Sequence, residues 1–486
     1  MRWDAVRPRL RRSTGGRPAG RSLTGWRGAA QLRSAPGGDA SLQFSAVTTK
    51  KRAVLAFSGG LDSSAILTWM VREQGWEVVT FTANVGQRAS DSLDAAAKKS
   101  RELGAITHES VDLRRELIDE FFVPAMQMHA KLEGRYLLGT SLARYPTARA
   151  AMRVARKHRA TVLSHGATGK GNDQVRFETT WLVLNADPAE RIDGLEIFAP
   201  WKEKIFLDRF GNGGRVVMRQ YLQSMGIPIA SGGNEGEDPY SQDENMLHIS
   251  SEGVALERPE ESHIGKIVYT KLTDPAMAPD RAEYARVFFE RGRPVKIQIE
   301  DENGVVTARP IEGDSVAILK AANEVAGRHG VGILDMVETR YVGIKSRGVY
   351  EAPGHTLLLE AHQDLEGVVH DGPVIDEKLS QAPLLARLIY NGGWWSQQMR
   401  KALAGLQEEQ RHVNGWSLVR LYRGSATPVA RWSPNSLYDP QLSSFESMTG
   451  TALDPEKARG FIDVQALHLW AAERARHQAR TPVARG

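Results

Sequence analysis

Two glycine-bearing stretches hold the residue types that phosphate and amino-acid chemistry need. In residues 53–64, AVLAFSGGLDSS, an apolar run breaks at Ser58-Gly59-Gly60 and restarts as the amphipathic segment AILTWMVREQ. That order reads as a strand, a tight turn and a helix. Glycine permits the backbone angles that turn successive N–H groups inward, and the helix N-terminus adds partial positive charge. Such a nest takes an anion, and phosphate is the usual one. The stretch lacks both G-x-x-x-x-G-K-[ST] and G-x-G-x-x-G, which argues against γ-phosphoryl transfer and hydride transfer. Asp62 has two readings: an acid favoured by the helix dipole, or a group that helps hold magnesium and orient the loop. A turn without a ligand is the alternative for the whole stretch.

The second stretch is residues 165–178, HGATGKGNDQVRFE. Its three glycines let backbone approach a ligand, while Thr168, Asn172, Asp173 and Arg176 offer donors and acceptors of both charge signs. A zwitterionic amino acid needs that mixture, because its carboxylate seeks N–H or guanidinium and its ammonium seeks a carboxylate. Lys170, between two glycines, is expected to neutralise phosphate charge during transfer; a solvated surface loop is the alternative. Upstream, residues 135–160 read as a polar turn feeding a long helix, with Tyr136, Thr140, Ser141 and Arg144 clustered at its start. Capping accounts for Ser141 and explains Tyr136 and Arg144 less well.

Both stretches need a parallel sheet to hold them. Residues 77–85, 106–113 and 161–164 read as further strands, with helices over about 92–103 and 114–131, and this β-α-β-α order implies right-handed crossovers. Ligands lie off the carboxyl ends of such strands, which places Ala83 and Asn84 beside the phosphate turn. A domain boundary is expected near Gly214. Beyond it the pattern changes to shorter strands: residues 239–253, PYSQDENMLHISSEG, carry Ser241 and Ser250 on a polar segment. Residues 287–300 and 305–310 read as a hairpin around Asn303-Gly304, followed by a helix over 315–327. Glu338 and Tyr350 are polar groups in apolar or glycine-broken surroundings, where structural hydrogen bonding rivals a functional role. Helices are expected near 356–364 and 380–389. Residues 454–479 form a last helix, with Asp454 as N-cap and Pro455 at the first position. Phe461, Val464, Leu467, Leu469 and Trp470 on that helix have no adjoining domain, which points to packing on another subunit, with docking on its own chain as the alternative.

The 486 residues exceed what one core usually holds, and no run is apolar enough to span a bilayer. Cysteine is absent, which removes disulfides, thiolate metal sites and cysteine nucleophiles together. The formal charge of +5 does not signal a nucleic-acid partner, because it comes from the first fifty residues, with nine Arg and Lys50 against Asp4 and Asp39. Residues 1–49 are poor in acids and in periodic apolar positions and are expected to be disordered in isolation. A cleaved transit peptide, an upstream start codon read through, and a basic nucleic-acid arm all fit that composition. The domain plan is therefore 1–49, a basic extension; 50–214, a nucleotide-binding domain; 215–445, a synthetase domain; and 446–486, a terminal helix.

S-G-G-x-D-S after a first strand resembles the loop of the ATP pyrophosphatases, which cleave ATP to AMP and pyrophosphate while adenylating an acceptor. With AFSGGLDSS, RYLLGTSLAR, HGATGKGNDQVRFE, DENMLHIS, RHGVG, IKSRGVYEAPG and SPNSLYDP in order, residues 52–470 resemble argininosuccinate synthase. The resemblance implies an α/β fold: a parallel-sheet nucleotide-binding domain of the ATP pyrophosphatase type, an α+β synthetase domain and a C-terminal oligomerisation helix. It implies a cytoplasmic homotetramer that uses ATP and magnesium to join L-citrulline to L-aspartate, without nucleic acid or membrane. ATP contacts are implied for Ala56, Phe57, Ser58, Gly59, Gly60, Leu61, Asp62, Ser63, Ser64 and Ala83, and for His165, Gly166, Ala167, Thr168, Gly169, Lys170 and Gly171. Citrulline falls to Tyr136, Ser141, Asn172, Arg176, Ser241, Ser250, Glu338 and Tyr350. Aspartate falls to Thr140, Thr168, Asn172 and Asp173, with Arg144 as a carboxylate partner. Asp62, Lys170 and Asp173 are expected at the reacting groups, with magnesium held mainly by ATP and pyrophosphate rather than by direct protein ligands.

Four features depart from the family's commonest pattern. Ser63 replaces threonine and keeps the hydroxyl, Ile333 replaces arginine, Thr339 replaces asparagine, and Tyr145-Pro146 alters the run after Arg144. Two rival readings stand beside this one: another ATP pyrophosphatase with a different acceptor, and a non-catalytic protein of the same fold that uses its basic arm on nucleic acid.

Overall fold

Five short strands, β1 (Arg52–Ala56), β2 (Glu77–Asn84), β3 (Thr107–Asp112), β4 (Val162–Ser164) and β5 (Glu196–Phe198), make a parallel sheet in the order β3-β2-β1-β4-β5, with the polar β3 at one edge. The computed structural model describes residues 50–88, 90–169, 171–227, 240–443 and 455–480. The extension 1–49, Lys170 and Asp454 lie outside the described residues. The crossover helices include α1 (Leu61–Arg72), α2 (Ser90–Glu102) and α3 (Gly139–His158). Strand order reverses between β1 and β4, so the crevice for a ligand opens off their carboxyl ends, where both glycine stretches begin.

Alternation along β1 splits the packing. Val54 faces one core with Val79, Phe81 and Leu163, while Ala53 and Leu55 face another with Ile66, Trp69 and Val78. Each large side chain so buried contributes about 1.5–3 kcal/mol. The first core runs on without a break into Leu357, Leu365 and Leu385 of the C-terminal half. Helix α4 (Asp173–Leu184) follows the second glycine stretch. Helix α5 (Gly214–Ser224), which starts at the expected boundary, puts Met218, Tyr221 and Leu222 into the second core and so packs with the parallel sheet.

Where a single helix was expected over 114–131, the helical stretch is shorter and interrupted. It runs as Arg114–Glu116, a π-helical segment Leu117–Phe122 and Val123–Gln127. Pro124 has no N–H to offer the turn before it, which favours the wider turn. The chain then reverses through His129 and Glu133, both at positive φ, and a Leu132–Tyr136 bridge delivers Tyr136 to the start of α3.

Two antiparallel sheets follow. The first has the order β10-β9-β8-β13-β14, made of β8 (Glu283–Glu290), β9 (Arg293–Glu300), β10 (Ile311–Glu312), β13 (Gly415–Tyr422) and β14 (Ser425–Trp432). The expected hairpin around Asn303-Gly304 is displaced. The strands turn at Arg291-Gly292, both at positive φ as a two-residue hairpin loop requires, and Asn303-Gly304 leads only to an isolated Glu300–Val306 bridge. The second sheet, β11-β12-β7-β6, comprises β6 (Ser241–Glu244), β7 (Ile249–Glu252), β11 (Ile333–Thr339) and β12 (Lys345–Glu351). Helices α6 (Ser315–Arg328), α7 (Pro353–Val369), α8 (Gly372–Tyr390) and α9 (Gln397–Glu409) complete this half.

The last helix, α10 (Pro455–Arg480), carries Phe461, Ile462, Val464, Leu467, Leu469 and Trp470, each at least 60% exposed. No helix among the described residues is long and apolar enough to cross a membrane.

Candidate active site

Register puts one row of side chains on one face of the β11-β12-β7-β6 sheet. Asp243 pairs with Ser250, and Ser250 with Tyr350; two residues along, Ser241 and Glu252 share that face. Glu338 lies on the same face of β11, four residues beyond Leu334, the partner of Tyr350. Across from this floor come Tyr136, Thr140 and Arg144 from the start of α3, where positions 140 and 144 share a helix face. Asn172, Asp173 and Arg176 arrive from the second glycine stretch and α4. Together they line a cavity of about 290 Å³, with Ala167, Thr168 and Gly171 at its edge.

The approach of the two halves depends on Gly139. A Cβ there would lie 2.5 Å from Cδ2 of His248, whose Nε2 is 2.9 Å from the Thr140 hydroxyl and whose ring stacks on Tyr350. Burial, with Lys271, Arg144 and Arg176 in support, lowers the His248 pKa to about 3, so the ring is neutral.

Charges of both signs are held by one another. Asp173 accepts from Arg144 Nε at 2.9 Å and from Arg176 Nη1 at 2.8 Å, and Arg144 Nη2 also reaches Asp243 at 2.8 Å. Burial pushes the Asp173 carboxyl up, but the two guanidiniums outweigh it and hold it below the usual carboxylate range. Glu252 behaves oppositely. Burial raises it to about 6 against the pull of Arg340, its ion-pair partner, with Glu338, Asp173 and Asp243 adding to the rise. Burial also raises Glu338, although Tyr390 donates to it at 2.6 Å and Tyr350 at 3.1 Å. Four carboxylates and three guanidiniums in one cavity suit two zwitterions better than a single anion.

Tyr390, at the end of α8, ties the expected residues together. Its hydroxyl accepts from Asn172 Nδ2 at 2.7 Å while donating to Glu338, its carbonyl accepts from Arg176 Nε at 3.0 Å, and the Arg176 guanidinium lies 4.9 Å over its ring. Sequence reading missed Tyr390, Asp243, Glu252 and Arg340. Asp243 and Glu252 lie two residues from Ser241 and Ser250, and the alternation of a strand was the signal that would have found them.

Of the residues expected at the amino-acid site, all but Ser141 line the cavity. Ser141 is fully buried and its hydroxyl has no hydrogen-bond partner. One position past Thr140, it turns off the helix face that Thr140 and Arg144 share, toward the core that holds Tyr145 and Ala148.

At the first loop, Gly59 has φ +77°, Ser63 Oγ and Ser64 Oγ donate to the Gly60 carbonyl at 3.2 and 2.7 Å, and Ser58 Oγ is 3.2 Å from Ser63 Oγ. The hydroxyls therefore brace the loop, while Leu61, Asp62 and Ser63 hold first-turn amides that have no intrahelical partner. Burial raises the Asp62 carboxyl, opposed by Arg215 at 4.0 Å. Phe57 is buried and its carbonyl accepts from Thr82 Oγ1 at 2.5 Å; the Ala83 carbonyl is taken by Gln87 Nε2 at 2.9 Å. The His165 side chain is committed to the second loop's support: Nδ1 accepts from the Ala167 amide at 3.2 Å, and Nε2 donates to Glu178 at 3.1 Å. Gln174 Nε2 pins the same loop through the carbonyls of Gly169 and Gly171, at 2.6 and 3.0 Å.

Residues 52–215 match a family model described as the arginosuccinate synthase N-terminal HUP domain, and residues 240–472 match the arginosuccinate synthase C-terminal domain. An argininosuccinate synthase of Thermotoga maritima is 43% identical over 421 residues, covering 86% of this chain and 97% of the relative. Those of Jannaschia sp. and Paraburkholderia xenovorans are each 42% identical, over 423 and 431 residues, covering 87% and 88% of this chain and 97% and 98% of the relatives.

Proposed function

Because this chain belongs to the argininosuccinate synthase family, an ATP-using ligase of arginine biosynthesis, we propose that it joins L-citrulline to L-aspartate through a citrullyl-adenylate. The observation that carries this is the cavity of mixed charge formed directly against the second glycine stretch, which starts beside the phosphate loop on the neighbouring strand. The citrulline ureido oxygen attacks the α-phosphorus of ATP, and the bond to the β-phosphate oxygen breaks to release pyrophosphate. The aspartate amine then attacks the ureido carbon and displaces AMP, which leaves with the former ureido oxygen. No covalent enzyme intermediate is needed, so the chain's part is positioning and charge stabilisation.

In this reading Tyr136, Asn172, Arg176, Ser241, Ser250, Glu338 and Tyr350 hold citrulline, and Thr140, Arg144, Thr168, Asn172 and Asp173 hold aspartate. Glu252, with a pKa near neutrality, is suited to take the proton that the aspartate ammonium must lose before it attacks. Asp62 is the only carboxylate of the first loop, and its raised pKa and loose pairing to Arg215 fit a magnesium ion held mainly by phosphate oxygens. Held there, the ion would supply positive charge for the departing pyrophosphate. The enzyme acts in the cytoplasm and needs no nucleic acid. The exposed apolar side chains of α10, which lie all around the helix, serve contacts between copies in a homotetramer. Removing residues 451–486 is expected to lower the number of copies per particle measured by light scattering; an unchanged number contradicts that assignment.

Pyrophosphate release measured with ATP and magnesium, with and without each amino acid, tests the activity. Release is expected to require citrulline, with argininosuccinate forming only when aspartate is also present. Release independent of citrulline overturns the reading.

A further inference from the structure

Helix α2 lies directly against the phosphate loop. A Cβ on Gly59 would be 3.5 Å from the Cβ of Ala96, and three residues further along Lys99 Nζ donates to the Gly59 carbonyl at 2.8 Å. Lys99 pairs with no carboxylate among the described residues, unlike its neighbour Lys98, which faces Glu102 at 4.0 Å. It is half-buried, and burial lowers its pKa. A half-buried ammonium whose one bond is to a neutral carbonyl leaves its charge uncompensated beside a nest built for an anion.

The bond also bears on the shape of the nest. Gly59 is the residue with positive φ in the loop, and its peptide must keep the carbonyl away from the anion if the following amides are to face it. The Gly60 carbonyl is already held by Ser63 and Ser64. Gly59 has only a long contact from Ser64 Oγ, at 3.4 Å, besides Lys99.

We infer that Lys99 is a positioning residue for the triphosphate: it fixes the Gly59 peptide and supplies positive charge behind the loop as pyrophosphate departs. This rests on the proposal that the first loop holds the ATP phosphates.

The test compares the full-length protein with Lys99→Met, Lys99→Arg and the control Lys98→Met. Citrulline-dependent pyrophosphate release gives KM for each substrate, and calorimetric titration with magnesium pyrophosphate gives an affinity that needs no turnover. Loss of one charge-assisted bond predicts about a 10- to 100-fold weaker affinity for pyrophosphate and a similar rise in the ATP KM for Lys99→Met. The KM values for citrulline and aspartate should stay in place, Lys99→Arg should recover most of the loss, and Lys98→Met should match the parent protein. Pyrophosphate affinity unchanged in Lys99→Met overturns the inference, as does an equal loss for all three substrates, which marks a general structural defect. A parent protein that binds pyrophosphate through Lys99 yet releases none in response to citrulline supports the inference and removes the ligase reading instead.

Discussion

Replacing Tyr390 by phenylalanine keeps the ring under Arg176 and removes only the hydroxyl. That hydroxyl is nearly inaccessible, donates to Glu338 at 2.6 Å and accepts from Asn172 at 2.7 Å, so the variant leaves a buried carboxylate short of a donor and a half-buried amide short of an acceptor. A bond to a charged group contributes about 1.5–3 kcal/mol net, and an unmet amide costs about 1 kcal/mol more. Both partners are proposed to hold citrulline, which predicts about a 10- to 100-fold lower kcat/KM for citrulline and about 2 kcal/mol lower stability. The ATP KM should stay within about twofold, because no Tyr390 contact reaches the first loop. The pH profile carries a second sign. The Tyr390 bond opposes the rise that burial imposes on Glu338, so its loss lets that pKa climb further, and the acidic limb of the citrulline profile should move to higher pH. Tyr350→Phe, which removes the longer bond at 3.1 Å, should lose less. A Tyr390→Phe enzyme with unchanged citrulline kcat/KM and an unmoved acidic limb would refute the claim that Tyr390 organises the citrulline site.

Three further outcomes are expected. Burial holds His248 and His355 to about 3 and His362 to about 4, below the unfolded value of about 6.5. The unfolded chain therefore takes up these protons first. Stability is full above pH 6.5 and falls as pH drops from there toward 4, by about 2 kcal/mol per histidine between pH 7.5 and 5. Urea midpoints at those two pH values check this, and equal midpoints contradict it. Glu366 receives Lys378 Nζ and Gln410 Nε2 at 2.5 Å on one oxygen, with His129 Nε2 lying 2.6 Å from the other, so Glu366→Gln should cost about 3 kcal/mol by stranding a buried lysine that keeps only Glu409. A thermal midpoint within a degree of the parent protein would contradict that. Ser141→Ala should be neutral or slightly stabilising and leave the citrulline KM in place, since the hydroxyl is buried without a partner; a large rise in that KM would return Ser141 to the site.

Most of the nucleotide half was legible because its signals are local. The break at Ser58-Gly59-Gly60 and the glycines of residues 165–171 fall where a parallel strand ends, and the strand–helix alternation implies a parallel sheet, whose strand order only the structure gives. The synthetase half hid its chemistry in pairings between distant strands. Asp243, Ser250 and Tyr350 form a row only through the ladder, and Tyr390 reaches the cavity because α8 ends there, which no window around LIYNGG reveals. The displaced hairpin has a similar cause: Asn-Gly is the stronger turn signal, yet the turn falls at Arg291-Gly292, because tertiary pairing of β8 with β13 decides the register. Ser141 shows the converse case. A residue within a matching motif was assigned to the ligand, while the helix rotation that follows from 3.6 residues per turn carries it into the core.

Adenylation is proposed to fall on the citrulline ureido oxygen, in the cleft between the two glycine loops. Citrulline labelled with oxygen-18 at the ureido position tests it, with the AMP formed in the presence of ATP, magnesium and aspartate analysed by mass spectrometry. One labelled oxygen is expected in each AMP produced. AMP that carries no label would show that pyrophosphate is released without adenylation of citrulline, and would contradict the proposal.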